Sequence, residues 1–310
     1  MTEVMNLESS NYVTNEMRGN GMKISKMLNE DKVTISCELF PPKLGTQLDN
    51  YKSIVARTAE LKPAYISCTY GATGGTSDYT VEIADAINKH GIPAIAHLTC
   101  ASSTKEKVVS VIEQLQERKI ENILALRGDI PESVDFPLPN QYHHAIELIT
   151  QIKDLGDFCI GGACYPEGHP ESKNMEEDLN YLKEKVDAGC EYLTTQMFFD
   201  NNIYYNFMYK ALKKDIKVPV VAGIMPVTNA SQVKRIISLS GNLVPAKFLN
   251  IVDRFGDNPD AMKQAGIAYA TEQIIDLIAN GANHIHIYSM NKPDVAGAIM
   301  DNLSHIYVRE

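Results

Sequence analysis

Eight short apolar segments recur along this 310-residue chain, each about the length of one β-strand. They are Thr34–Phe40, Ala64–Tyr70, Pro93–Thr99, Asn122–Asp129, Phe158–Tyr165, Tyr192–Asp200, Val218–Met225 and His284–Tyr288. The fourth is the plainest. Ile123, Leu124, Ala125 and Leu126 form the apolar run of a strand buried on both faces, and Arg127 and Asp129 charge its carboxyl end. Between the segments lie stretches with helical spacing, such as Val108, Val111, Ile112 and Leu115. Leu179, Leu182 and Val186 mark another, and Tyr269, Gln273, Ile274 and Leu277 a third. Ser103-x-x-Glu106 and Asn229-x-x-Gln232 read as capping boxes at helix starts. Gly91, Gly189 and Gly281 each follow a helical pattern and precede a strand, as C-terminal stops do.

Eight strand–helix repeats predict a parallel sheet with crossover helices, and eight is the number that closes a barrel. A doubly wound open sheet is the alternative. It usually has fewer strands and a Gly-rich phosphate turn after the first. Here the first strand is followed by Phe40-Pro41-Pro42-Lys43, and no dinucleotide fingerprint or P-loop occurs elsewhere. The expected fold class is therefore α/β, a single-domain (β/α)8 TIM barrel over residues 31–310. Residues 1–30 are expected to form a partly ordered N-terminal extension with a helix near Met22–Leu28. Gly241–Asp260 is longer than a loop needs and is expected to carry a short helix through Lys247–Phe255.

Charge and cysteine usage narrow the function classes. With 39 acidic against 29 basic residues, the net charge of -10 argues against a nucleic-acid binder. The six cysteines form no Cys-x-x-Cys pair and read as small buried hydrophobes of a reducing compartment. No run of about 18 apolar residues predicts a membrane span, and the N-terminus lacks the apolar centre of a signal peptide. A cytoplasmic location is expected.

Side chains on a strand alternate faces, so common parity picks out residues aimed at one rim. Ser36 and Glu38 share a face, as do Ser67 and Thr69, His97 and Thr99, and Arg127 and Asp129. Thr194, Gln196 and Asp200 share one in the sixth segment, and His286 and Tyr288 in the eighth. Six strands thus deliver polar groups toward their carboxyl ends, where barrel active sites lie. Glu38 and Asp129 could serve as a glycosidase carboxylate pair, although no Trp is present to stack a sugar. His97, His169 and His286 lack the spacing of metal ligands, so no metal site is expected. Residue types alone stop at a small-molecule enzyme with a carboxylate acid or base.

Seven motifs take the reading further. Glu38-Leu-Phe-Pro-Pro42, Thr69-Tyr-Gly-Ala72, His97-Leu-Thr-Cys100 and Leu126-Arg-Gly-Asp129 come first. Tyr165-Pro-Glu-Gly-His169-Pro170, Thr195-Gln-Met-Phe-Phe-Asp200 and Gly223-Ile-Met-Pro-Val227 follow. In order and spacing they resemble the methylenetetrahydrofolate reductase family, in its short bacterial form without a regulatory domain. The resemblance covers about Val33 to Tyr288. It implies a flavoprotein of one-carbon metabolism and methionine biosynthesis that reduces 5,10-methylenetetrahydrofolate to 5-methyltetrahydrofolate. The electrons would come from NADH or NADPH by a ping-pong sequence on one flavin face. FAD is the implied cofactor, with FMN not excluded, and a homo-oligomer is the implied assembly.

Carried over position by position, Glu38 matches the general acid, which needs a raised pKa through burial. Asp129 matches the catalytic carboxylate beside flavin and folate. Gln196, Tyr288 and Asp129 match substrate contacts. Thr69, Tyr70, His97, Arg127, Gly128, Asp129, Tyr142, Tyr165, His169, Asp178 and Lys185 match cofactor contacts, with Arg127 and Lys185 as diphosphate or ribityl partners. Two departures stand out. Ala230 replaces a Phe that stacks on nicotinamide, and Tyr181 and Glu184 replace a flavin-contacting Asn and Arg. Glu184 near a diphosphate would repel it, and Ala230 motivates the alternative of a flavin subunit whose electron-transfer partner protein supplies the electrons.

Overall fold

The computed structural model describes residues 22–41, 48–70, 78–101, 103–130, 136–233, 236 and 243–307. Eight parallel strands close into a barrel in sequence order, β1 to β8. They are β1 (Thr34–Leu39), β2 (Ile66–Cys68), β3 (Ala94–Thr99), β4 (Asn122–Leu126), β5 (Cys159–Cys164), β6 (Tyr192–Thr195), β7 (Val220–Ile224) and β8 (His284–Ile287). Closure is made by β1 on β8, in register Ser36↔His286 and Cys37↔Ile287. Every segment expected from the sequence is a strand, and each is shorter than the apolar run that announced it. The residues trimmed at the carboxyl ends, such as Arg127, Asp129, Tyr165 and Gln196, are the ones free to leave the ladder and meet a ligand.

Helices α1 (Ile24–Leu28), α2 (Leu48–Ala59), α3 (Asp78–Lys89), α4 (Lys105–Glu117) and α5 (Ala145–Leu155) belong to the first half. Helices α6 (Met175–Ala188), α7 (Asn201–Lys213), α8 (Ala246–Phe255), α9 (Pro259–Ala279) and α10 (Pro293–Asn302) belong to the second. Their apolar stripes face the strands. Val108, Val111, Ile112 and Leu115 of α4 are all buried, as are Leu179 and Leu182 of α6. Ala246–Phe255 fulfils the expected helix, while residues 241 and 242 of that segment lie outside the described residues. The stops at Gly91, Gly189 and Gly281 take positive φ angles of 77°, 130° and 86°, which suit glycine.

Two start signals shifted. Thr104, not Ser103, caps α4, its side chain accepting from Lys107 N–H. Ser103 instead meets the Tyr70 hydroxyl at 3.2 Å. Asn229 does cap its turn, accepting from Ser231 N–H, but Gln232 reaches back to Thr228 N–H rather than to Asn229.

Helix α1 closes the amino-terminal mouth of the barrel. Ile24, Met27 and Leu28 join Tyr65, Ile95, Leu124, Cys159, Tyr192 and Val221 in one apolar cluster inside the ring of strands. Asn122 pins it from β4. Its Oδ1 accepts from Ile24 N–H at 2.8 Å, and its Nδ2 donates to Met22 O and Ala94 O. The expected helix in this region is present; the extension before Met22 lies outside the described residues. All six cysteines are buried and unpaired, as read from the sequence. No helix among the described residues is long and apolar enough to cross a membrane.

Candidate active site

At the carboxyl-terminal mouth the strands surround a cavity of about 470 Å³. Twelve of the fourteen site residues expected from the sequence line it, and Tyr142 and Asp178 do not.

Glu38 is the penultimate residue of β1 and is 7% exposed. Burial pushes its carboxyl up to about 8, so the group is protonated at neutral pH. His97 Nε2, from β3, stands 3.7 Å from Glu38 Oε2. That is too long for a hydrogen bond. Burial also drives His97 down to about 3. The pair is thus a neutral acid facing a neutral imidazole and not an ion pair.

A second buried histidine sets the layer below. His286 Nδ1 lies 2.7 Å from Ser36 Oγ, and its Nε2 3.0 Å from Ser67 Oγ. Ser36 has one proton and donates it to Ile285 O at 3.0 Å. The network therefore assigns the His286 proton to Nδ1, with Nε2 accepting from Ser67. Burial holds His286 near 3, again neutral. Tyr288 crosses the barrel from β8, and its hydroxyl donates to Thr195 O at 2.6 Å. Gly223 on β7 makes that crossing feasible, because a Cβ there would fall 2.6 Å from the Tyr288 hydroxyl.

The carboxyl end of β4 supplies the charged groups. Gly128 turns the chain at φ 83° and lies against Thr99, where a Cβ would approach the Thr99 side chain to 2.9 Å. Beyond it Asp129 is exposed and lines the cavity. Arg127 donates to both oxygens of Glu171, at 2.6 and 2.5 Å. Glu171 sits on the loop after β5, and its own N–H donates to His169 Nδ1 at 3.2 Å. His169 packs edge-on to Tyr165, with ring centroids 4.7 Å apart. Burial raises Tyr165 to about 12. This loop encloses a second cavity of about 580 Å³ that shares Arg127, Asp129, Tyr165, His169 and Gln196 with the first. Lys185 reaches in from α6 and donates to Ala163 O at 2.7 Å. Gln196 folds its Oε1 onto Met197 N–H.

Not every expected residue lies on the cavity lining. Tyr142 is buried away from the cavity lining; its hydroxyl donates to Gln151, and the Lys105 ammonium lies over its ring at 5.1 Å. Asp178 accepts from Ser172 behind the β5 loop, where it supports His169 rather than lining either cavity. Asp200 does not reach the rim: β6 ends at Thr195, and Asp200 caps α7 by accepting from Asn202 N–H. Ala230 packs against Gly256 at the end of α8 and does not line the cavity. Tyr181 and Glu184 are exposed on α6, outside both linings. Reading by residue type missed Glu171, Tyr65 and Tyr192. The first is a loop carboxylate with no periodic signal, and the tyrosines looked like strand core. Among the described residues, no group of three or more His, Cys, Asp or Glu could hold a metal ion.

The model of the family described as methylenetetrahydrofolate reductase matches residues 23–304, nearly the whole chain. The chain belongs to the methylenetetrahydrofolate reductase family. It is 34% identical over 275 residues to the 5,10-methylenetetrahydrofolate reductase of Pectobacterium carotovorum, covering 88% of this chain and 91% of that one. Identity to the Escherichia coli enzyme is 33% over the same length, covering 88% and 92%. It is also 33% identical over 298 residues to the Arabidopsis thaliana methylenetetrahydrofolate reductase (NADH) 1, covering 92% of this chain and 50% of that longer one. Like these methylenetetrahydrofolate reductases, the chain is an oxidoreductase. In fold it is similar to an uncharacterized Clostridium thermocellum protein that binds two copies of 5-methyl-5,6,7,8-tetrahydrofolic acid. The TM-score is 0.64 at 17% identity, over 92% of this chain and all of that one.

Proposed function

We propose that this chain reduces 5,10-methylenetetrahydrofolate to 5-methyltetrahydrofolate, with FAD as bound cofactor, NADH or NADPH as electron donor, and Glu38 as the general acid. The observation that carries the reading is the buried, protonated Glu38 carboxyl at the mouth of the barrel. A carboxylic acid that keeps its proton at pH 7 is what a proton-requiring ring opening needs.

The donor set fits a flavin. His97 Nε2 is buried with no protein partner among the described residues and belongs to the cavity lining. Thr69, Arg127, Lys185 and the Gly128 backbone add donors along the same wall. Arg127 and Lys185 would hold a diphosphate or ribityl chain. The two adjoining cavities each fall in the range of about 300–1,000 Å³ that cofactor sites occupy. Glu184 is exposed and outside both linings, so solvent screens its charge. When bound, the flavin supplies two-electron chemistry that no side chain offers. The same wall would accept FMN, and the mass of the released flavin distinguishes the two.

In this reading Gln196, Tyr288 and Asp129 bind the pterin. Glu38 gives its proton as the bond from the methylene carbon to N10 breaks, and the resulting iminium accepts hydride. In this reading nucleotide and folate alternate at the shared rim, a ping-pong order with which one small rim is compatible. Similar barrels support folate binding here: the Clostridium thermocellum protein binds a 5-methyl folate, and a Xanthomonas albilineans dihydropteroate synthase of TM-score 0.52 is in complex with 7,8-dihydropteroate.

Anaerobic titration with NADH, followed at the flavin band, tests the reading. Bleaching, then recovery on adding methylenetetrahydrofolate, is the expected result. A flavin that NADH leaves oxidised, but dithionite reduces and folate reoxidises, would favour a second reading in which a partner protein supplies electrons. The packing of Ala230 against Gly256, with no aromatic ring at that position, is the observation behind it.

A further inference from the structure

The two edges of β1 end differently. Against β2 the ladder runs past the acid, with Glu38↔Ser67 and Leu39↔Cys68 in register, and Thr69 N–H donates to Leu39 O at 3.0 Å. Against β8 it stops at Cys37↔Ile287, one residue short of Glu38. Side chains of the turn after β8 carry that edge on. Ser289 Oγ donates to Glu38 O at 3.2 Å. Asn291 Oδ1 accepts from Phe40 N–H at 2.8 Å, and its Nδ2 donates to Phe40 O at 3.0 Å. One side-chain amide thus pairs both backbone groups of Phe40, as a neighbouring strand would. Pro41 follows and has no N–H with which to continue the ladder.

The turn that presents these groups is strained. Lys292 N–H donates to Ser289 O at 3.0 Å, and both central residues take positive φ, 54° at Met290 and 58° at Asn291. Glycine and asparagine suit such a turn, whereas methionine rarely enters it. Burial does not offset the strain, because the Met290 side chain is 39% exposed. The conformation aims the Asn291 amide at Phe40. Helix α10 holds the far end of the turn, starting at Pro293 and burying Val295, Ala296, Ile299 and Met300. Strain that the surroundings hold in place clusters at functional sites. The acid beside this turn needs an anchor. Among the described residues no side chain hydrogen-bonds the Glu38 carboxyl, and His97 stands 3.7 Å away. Its aim therefore comes from the β1 backbone at residues 38–40.

We propose that Asn291 is a positioning residue for the proton-transfer step: with Ser289 it completes the β8-facing edge of β1 and fixes the backbone that aims the Glu38 carboxyl at folate. Neither Ser289 nor Asn291 lines a cavity, so both act through β1. The inference rests on the general-acid reading of Glu38. An asparagine that only closed the barrel would, when lost, weaken both half-reactions alike. Misplacing a reacting group by about 1 Å can cost on the order of 100-fold, so loss of this anchor should fall on the folate half-reaction alone. It should also admit water to the carboxyl, moving Glu38 from about 8 toward the ordinary carboxylate range. The other titratable groups that face Glu38 are His97 on β3, Cys68 on β2, Tyr288 on β8 and Tyr51 on α2. Burial keeps each of them neutral near pH 7. The loss of folate reduction at high pH is then set by Glu38.

The test is Asn291→Gly in the flavin-loaded enzyme, which removes the amide and keeps positive φ accessible. Flavin reduction by NADH should not change. Reoxidation by methylenetetrahydrofolate should slow on the order of 10- to 100-fold. Its fall-off at high pH should move to lower pH, because a less buried acid gives up its proton sooner. Ser289→Ala should act in the same direction and less strongly. In a Glu38→Gln background, Asn291→Gly should add nothing to the folate defect. Equal slowing of both half-reactions, an unmoved pH profile, or full additivity with Glu38→Gln overturns the proposal. The Glu38→Gln single variant separates the two readings. If it keeps folate reduction, the acid reading fails and the proposal with it. If it loses folate reduction while Asn291→Gly keeps it, the proposal alone fails. If Asn291→Gly does not fold, the pH profile of Ser289→Ala decides.

Discussion

The lower and upper halves of the barrel interior are built from the same strands and do opposite things. Below, Ile95, Leu124, Cys159 and Val221 pack with Tyr65, Tyr192 and the underside helix α1 into a filled apolar layer. Two residues further along the same strands, His97 and Leu126 face a cavity together with Glu38, Thr69, Gln196 and Tyr288. Alternation of side chains makes this division available to any parallel barrel. What differs here is the filling. The lower layer recruits a helix from outside the barrel to exclude water, whereas the upper layer keeps space and buries acids and imidazoles in their neutral forms. The lower half should govern stability with little effect on chemistry, and the upper half the reverse.

Ranked by stability, the largest effect should come from Asn122→Ala below. It removes three hydrogen bonds and leaves Ile24 N–H and Met22 O without their side-chain partner. The expected cost is about 3 kcal/mol in urea unfolding, with both half-reactions intact well below the melting point. Loss of chemistry at full stability would break the comparison. Gly161→Ala, at the boundary, should come next. Its methyl meets the Tyr192 ring at 2.3 Å, an overpacking worth about 2 kcal/mol, and it should disturb both halves at once.

A pH dependence sharpens the contrast in the upper half. Glu38 binds its proton more tightly folded than unfolded, so its contribution is present at low pH and is lost as pH rises through about 8. His97 and His286 have depressed values near 3, so their effect runs the other way and is complete above their unfolded value of about 6.5. Between pH 6.5 and 8 only the Glu38 slope remains of these three. The unmutated enzyme should lose stability relative to Glu38→Gln across that window, measured by urea unfolding at several pH values. Parallel curves would mean that Glu38 is not protonated in the fold.

The smallest effect should come from Glu171→Gln at the rim. The Arg127–Glu171 pair is bidentate, but Glu171 is mostly exposed, so stability should fall by less than about 1 kcal/mol. The β5 loop loses its tie to β4, and flavin should dissociate faster in a dilution assay. An unchanged dissociation rate would make the pair a surface contact only.

Much of this was legible in the sequence because it depends on periodicity. The eight apolar runs give the eight strands, and parity brings Glu38, Thr69, His97, Gln196 and Tyr288 to one rim. Parity failed where the strand stopped. Asp200 was counted along β6, but the chain leaves the ladder after Thr195 and the aspartate caps α7. The family motifs placed most of the lining, yet Tyr142 and Asp178 fall behind it, because a motif fixes position along the chain and not which side of a loop a side chain takes. Tyr192 and Gly161 were invisible as a pair. Their relation exists only across two strands whose register no single segment encodes.

The measurement that tests the account most directly is the two half-reactions of Glu38→Gln, followed separately and anaerobically. The variant should bind flavin and accept electrons from NADH at the unmutated rate, while reduction of methylenetetrahydrofolate falls on the order of 10²- to 10⁴-fold, the usual share of a general acid. Equal loss of both half-reactions would make Glu38 a structural group. Retention of both would remove the buried acid from the chemistry.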